Sequence, residues 1–500
     1  MTGVVNASGG PSSARAAAPR CALPMPPDPA PGSAKPRPAS GAAAGPHWAV
    51  VLAIIGLAML PLGCRRGREA PLFTGEPYLA VWAGDADRKS SDFLAILDAD
   101  PTSATYGKVL RTYPVRSRGN EPHNVNVEPR ADRRLFAGGL LTNRTFVFDL
   151  RQPLAGKLVA VDDAGPQRRL WGPHDFVSLP NGRVAVTCVD PARYRGDPVE
   201  LVTAVGGLLE LTSDGQPVRE IPAPDPAARG LIIAPAGAAA ALALDRLITT
   251  NRGHGYTALT RGEAMPGISV QVWRLEDLRL LKTVLLEAGA RGEENLAPAT
   301  ARFLHREPLV YVNTAQGGAL YASDSVQTSV PAFRLVYDFG ADTLGGDAAV
   351  TPDDRWYVET LTGRNRLVTL DLADRWHPKP VAALRFDRDP GDTNRARAGG
   401  PSALAMSADG TRLAVADYTM DVPGYQHDGD RRVYMVRLDP TTGHLWFDEG
   451  FRDELTGEVG IDFNRARWPH GDTGPARPHG LAFVTPEPPP PEGGRPAARR

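Results

Sequence analysis

Cysteine is nearly missing from this 500-residue chain: only Cys21, Cys64 and Cys188 occur. Cys21 lies in a leader of small residues and Cys64 ends an apolar run. Cys188 is therefore alone in the remaining body, which excludes an intrachain disulfide framework there. In "RVAVTCVD" it reads as a small apolar residue buried on a strand. An excess of either charge is also lacking, with 56 Lys+Arg against 57 Asp+Glu. No basic stripe or basic helix stands out, so no nucleic-acid partner is expected, nor a polyanionic one. Large apolar side chains are scarce in residues 1–46, which are mostly Ala, Pro, Gly and Ser. Such a stretch buries too little surface to offset its ordering entropy and reads as a disordered leader. Residues 485–500, "TPEPPPPEGGRPAARR", read as a disordered tail. Long apolar runs are lacking too. The strongest, Trp48 to Leu60, has 13 uncharged residues, whereas a spanning helix needs about 20.

That run sits in "HWAVVLAIIGLAMLPLGCRR", and 47–64 fits a signal-peptide core better than a membrane span. Arg15, Arg20, Lys35 and Arg37 precede it against one acid, Asp28. "LPLGC" resembles a bacterial lipobox, which implies lipidation at Cys64, although Pro61 stands where Leu or Val is usual. The expectation is a periplasmic or cell-envelope protein anchored by lipid. Arg65, Arg66 and Arg68 oppose export, because basic residues favour the cytoplasmic side. An uncleaved anchor, plain secretion and a later start at Met25 stay open.

From 72 to 484 helical periodicity gives way to short strands bounded by turn signals. "PNGRVAVTCVD", "TSDGQPVREI", "TPDDRWYVETL" and "SADGTRLAVADY" each carry a tight-turn signal followed by alternation. "NRTFVFDL", "ISVQVWRLED", "RLVTLDLAD" and "RVYMVRLDPTTG" read as third strands. Two alternating strand types predict four-stranded blades around an axis, and the length predicts a seven-bladed β-propeller. A pair of β-sandwich domains would need a mid-chain linker, and none stands out. "LIIAPAGAAAALAL" (231–244) breaks the pattern and reads as a degenerate inner strand or a small insertion.

Four histidines open β-like segments: His123 in "EPHNVNVE", His174 in "PHDFVSL", His305 in "RFLHREPLVYV" and His479 in "RPHGLAFV". If "PNGRVAV" is a second strand, "PHDFVSL" before it is the inner one. Equivalent residues of rotated blades then converge on the axis, where neutral imidazoles suit copper, iron or zinc. Taken singly, each histidine reads as structural or solvent-exposed strand punctuation rather than as a ligand, and it is the fourfold recurrence that favours a metal site. His47, His254, His377, His427, His444 and His470 lack the shared context, with His254 the best of them.

Five segments together resemble the selenium-binding protein/methanethiol oxidase family. They are "SDFLAILDADPTSATYGKVLRTYPV" (91–115), "NEPHNVNVE", "LAPATARFLH" (296–305), "AGGPSALAMSADGTRLAVADY" (398–418) and "GPARPHGLAF" (474–483). The resemblance runs in order from about 78 to 483. It implies a seven-bladed propeller that oxidises a small thiol with copper and oxygen. Methanethiol, oxygen and water would give formaldehyde, hydrogen sulfide and hydrogen peroxide. It also implies metal ligation by His123, His174, His305 and His479. The chain departs from the family in four places. Asn124 replaces the second of two adjacent histidines, Thr300 replaces a glutamate, Gly107 stands at the selenium-associated cysteine, and the Ala-rich 231–244 replaces a more aromatic segment. A non-catalytic propeller that binds a ligand or protein at the cell envelope, and another metal-centred propeller chemistry, are the competing expectations.

Overall fold

The computed structural model describes residues 73–126, 130–163, 168–191, 206–253, 266–386, 400–422, 425–427 and 429–488. The leader, the 47–64 segment with Cys64, His254 and most of the tail lie outside them. Among the described residues no helix is long and apolar enough to cross a membrane.

Seven antiparallel sheets stand around one axis, six with four strands in meander order and the last, blade 7, with a fifth short strand, Ile461–Asp462, beside its third. Blade 1 is closed by the two ends of the chain. Its inner strand is Ala476–Val484, which pairs with Tyr78–Asp85, followed outward by Phe93–Asp98 and Val109–Pro114. Blades 2 to 6 follow in sequence, with inner strands Pro122–Val125, Leu170–Ser178, Pro235–Ala241, Pro298–Phe303 and Gly345–Val350. Blade 7 starts at Ala403–Met406 and carries an inserted hairpin, Met420–Val422 with Tyr425–His427. This is the expected seven-bladed propeller, and its strand order excludes two sandwiches. The Ala-rich 231–244 stretch supplies the inner strand of blade 4. Of the four turn signals, "TSDG" leads into the outer strand Pro217–Pro222 and the other three into second strands.

The strand sequences follow from having two neighbours. Successive side chains of a strand point to opposite faces. In a middle strand both faces meet another blade. Leu79, Val81 and Ala83 pack toward blade 7, while Ala80 and Trp82 pack toward blade 2. Seven such clusters fill the seven gaps between blades. Outer strands such as Lys157–Asp163 and Pro217–Pro222 have a free edge and are mostly exposed.

The blades are also pinned to one another near the axis. Thr187 Oγ1 donates to the Ala236 carbonyl at 2.5 Å and Thr250 Oγ1 to the Ala299 carbonyl at 2.7 Å. Asn313 Nδ2 donates to the Gly346 carbonyl and Thr360 Oγ1 to the Ser402 carbonyl, both at 2.9 Å. Each donor lies on a second strand and each acceptor begins the inner strand of the next blade. Ala236, Ala299 and Gly346 sit at a register shift shared by blades 2 to 6, between Pro122 and Val125, Pro173 and Phe176, Pro235 and Ala238, Pro298 and Ala301, and Gly345 and Ala348. Blade 1 shifts at the same place, around His479. A bulge re-aims its side chains, here into the axial channel.

Candidate metal centre

The first residue of that bulge is His479 in blade 1, His123 in blade 2 and His174 in blade 3. Blades 4, 5 and 6 place Ala236, Ala299 and Gly346 there. Three consecutive blades therefore supply imidazoles and the opposite wall supplies small residues. The His123 and His174 Nε2 atoms are 2.9 Å apart. The His123 ring centroid lies 4.4 Å from that of His174 and 4.1 Å from that of His479. Gly480 permits this closeness, since a Cβ there would fall 2.6 Å from the His123 carbonyl oxygen.

All three rings are buried, at 3%, 8% and 3% exposure for His123, His174 and His479. Burial pushes each ring's pKa below 6.5, with help from the Arg252 charge and, for His123 and His174, from neighbouring imidazoles. His479 falls to about 3. The rings are thus neutral at pH 7, the form that ligates metals. His123 Nδ1 and both ring nitrogens of His479 have no hydrogen-bond partner. Each such buried orphan costs about 1–3 kcal/mol, so their retention calls for a functional account.

These features fit a metal held by imidazole. Two cis ligands about 2.0 Å from an ion lie about 3 Å from each other, close to the His123–His174 separation. Among the described residues no three His, Cys, Asp or Glu side chains already converge as a complete ligand set. Seating an ion requires the rings to turn their free nitrogens toward one point.

His305 does not join them. Its side chain is 51% exposed, and its Nδ1 lies 2.8 Å from Asp354 Oδ1. The same carboxylate accepts the backbone N–H groups of His305 and Arg306. This corrects the expected fourth ligand. "RFLH" ends the inner strand of blade 5 rather than opening it, and Ala299 holds the bulge position. We expect His305→Ala to lower stability by about 0.5–1 kcal/mol, the loss of one half-exposed hydrogen bond, with metal content unchanged. A fall in metal content would return His305 to the ligand set.

Two adjoining cavities run along the axis. One is lined by the three histidines with Asn124, Arg252, Thr362 and Thr419 among others. The other continues past Thr300 and Asp347 to Asp175 and Arg302. Arg302 donates to Asp347 at 2.7 Å. Burial raises the Asp175 carboxyl to about 6, against the opposing charge of Arg302. Arg252, Arg302 and Asp347 escaped the sequence reading. Arg252 is two residues before His254, which drew attention instead, and Arg302 lies inside "RFLH".

Asn124 and Thr300, two of those departures, both line the channel. The Asn124 amide is 3.5 Å from His174 Nδ1. Gly107 has φ +81°, and a Cβ there would lie 2.8 Å from the Arg452 carbonyl oxygen, so cysteine is unsuited to this position. Cys188 is buried and its thiol is pushed up to about 12, so it stays protonated.

No family model matches the chain. Over 129 residues it is 38% identical to a protein named methanethiol oxidase from Hyphomicrobium sp., covering 25% of this chain and 28% of that one. Over 358 residues it is 28% identical to a methanethiol oxidase from Ruegeria pomeroyi, covering 64% of this chain and 76% of that one. The X-ray structure of a hypothetical selenium-binding protein from Sulfolobus tokodaii superposes with a TM-score of 0.63 at 18% identity, over 83% of this chain and 94% of that one. The Hyphomicrobium match thus spans little more than a quarter of that relative.

Proposed function

Because the chain belongs to the methanethiol oxidase and selenium-binding protein family, we propose that it oxidises a small thiol with dioxygen at its axial histidines, with copper as the metal. The observation that carries this reading is the set of three buried, neutral imidazoles lining one axial cavity, with unpartnered nitrogens on His123 and His479. Copper, when bound, supplies a Lewis acid for sulfur and a route for electrons to dioxygen. The reaction balances as a primary thiol, dioxygen and water giving the aldehyde, hydrogen sulfide and hydrogen peroxide.

The residues divide the work. His123, His174 and His479 would hold the ion. The Asn124 amide, near His174 Nδ1, orients that ring. The Arg252 charge favours the thiolate over the thiol and keeps the imidazoles unprotonated. Ala299, Gly345 and Gly346 leave room for a substrate on the opposite wall. The test is metal analysis of protein produced with copper, followed by a peroxide assay with methanethiol. About one copper per chain with peroxide release supports the reading. A protein that takes up no copper and consumes no thiol would leave a non-catalytic propeller.

We place the protein at the cell envelope, anchored by lipid on Cys64. Mass spectrometry of the mature N-terminus should find a diacylated cysteine at position 64, and Cys64→Ser should move the protein from the membrane fraction to the soluble one. Unmodified N-terminal peptides containing Leu60 to Cys64 would refute the anchor.

A further inference from the structure

The histidine chamber contains a cation whose charge favours any thiolate but whose hydrogen-bonding fork a one-carbon thiol leaves unused. Arg252, near the end of the second strand of blade 4 (Arg246–Gly253), lines the same cavity as His123, His174 and His479. Its charge is felt by all three rings. The Thr419 hydroxyl lines that cavity too. It is 5% exposed and has no hydrogen-bond partner, which is costly for a buried hydroxyl. The neighbouring arginine, Arg302, is already engaged by Asp347 at 2.7 Å. The carboxylate nearest the chamber is thereby taken up.

The chamber's lining carries more polar chemistry than a one-carbon thiol uses. It combines imidazoles suited to a metal-bound sulfur with a guanidinium and a hydroxyl suited to an oxyanion. Arginine's planar fork matches a carboxylate through two parallel hydrogen bonds. One guanidinium and one hydroxyl balance a monoanion. A phosphate dianion would be left undercompensated.

We propose that the substrate is a short thiol carrying a carboxylate, its carboxylate held by Arg252 and Thr419 and its sulfur presented to the histidine cluster. The sulfur end rests on the thiol-oxidase reading and the carboxylate end does not. The chemistry is unchanged: the carbon bearing sulfur becomes an aldehyde, and hydrogen sulfide and hydrogen peroxide leave. The product is an oxo-carboxylate.

Two measurements on the full chain test this. With copper-loaded protein, kcat/KM for 3-mercaptopropionate should exceed that for 1-propanethiol at least about tenfold, and Arg252→Gln should bring the ratio close to one. Such a ratio corresponds to about 1.4 kcal/mol. In calorimetry with copper-free protein, propionate should bind, and Arg252→Gln should weaken it about tenfold. Thr419→Val should weaken it severalfold, which keeps the test readable if the arginine variant misfolds. Propionate binding without turnover of any thiol would retain the anion site and reject the oxidase. Equal turnover of both thiols, with no propionate binding, would retain the oxidase and overturn this proposal.

Discussion

His479→Ala, like His123→Ala or His174→Ala, should remove bound copper and reduce thiol oxidation by about a thousandfold or more. A bound metal contributes several kcal/mol to charge stabilisation, and each 1.36 kcal/mol is tenfold in rate. With three imidazoles available, losing one leaves two, a set too small to retain the ion against a chelator. The substitutions should also be non-additive, since residues acting as one unit fail together. A double variant should therefore be no worse than either single variant. Copper per chain, measured after dialysis against a chelator, is the primary readout. A single variant that keeps its full copper content and most of its activity would remove that ring from the site. His305→Ala is the internal control: it perturbs a histidine tied to Asp354 in the turn after the inner strand of blade 5.

The blades were legible because each strand obeys two local rules at once, alternation along the strand and a turn at its end. "RLVTLDLAD" gave a third strand directly. The pairing of the C-terminal Ala476–Val484 with Tyr78–Asp85 has no local signal and follows only from closure of the ring. Three of the four histidine positions were also legible, because a proline precedes His123, His174 and His479. Proline suits the start of an inner strand, where its missing N–H costs no ladder hydrogen bond. The same phase would have marked Pro235, Pro298 and Pro401, and would have put Ala299 rather than His305 at the axis. His305 was selected for its residue type and not for its phase. Arg252 and Thr419 were illegible for a different reason. Both reach the chamber from outside the inner strands, so no inner-strand motif contains them.

The second large effect concerns a carboxyl group that the axial chemistry does not use. Glu359, on the second strand of blade 6, is fully buried. Its Oε1 accepts from Asn313 Nδ2 at 2.8 Å and its Oε2 from Tyr357 Oη at 2.9 Å. Burial outweighs both bonds and raises its pKa from 4.5 to about 8. The folded protein therefore holds a proton that the unfolded chain releases. For a raised carboxyl, stability is fully present below the unfolded value near 4.5 and is lost as pH rises through about 8. At pH 7 the loss amounts to about 3 kcal/mol, at 1.36 kcal/mol per pH unit. Glu359→Gln keeps an acceptor for Asn313 and offers its amide to the Tyr357 oxygen without any ionisation. It should stabilise the protein by about 2–3 kcal/mol at pH 7 and by almost nothing at pH 4.5. Urea midpoints of both proteins between pH 4.5 and 8.5 give the comparison. The two curves should diverge with rising pH, and parallel curves would mean that Glu359 is ionised inside the folded ring.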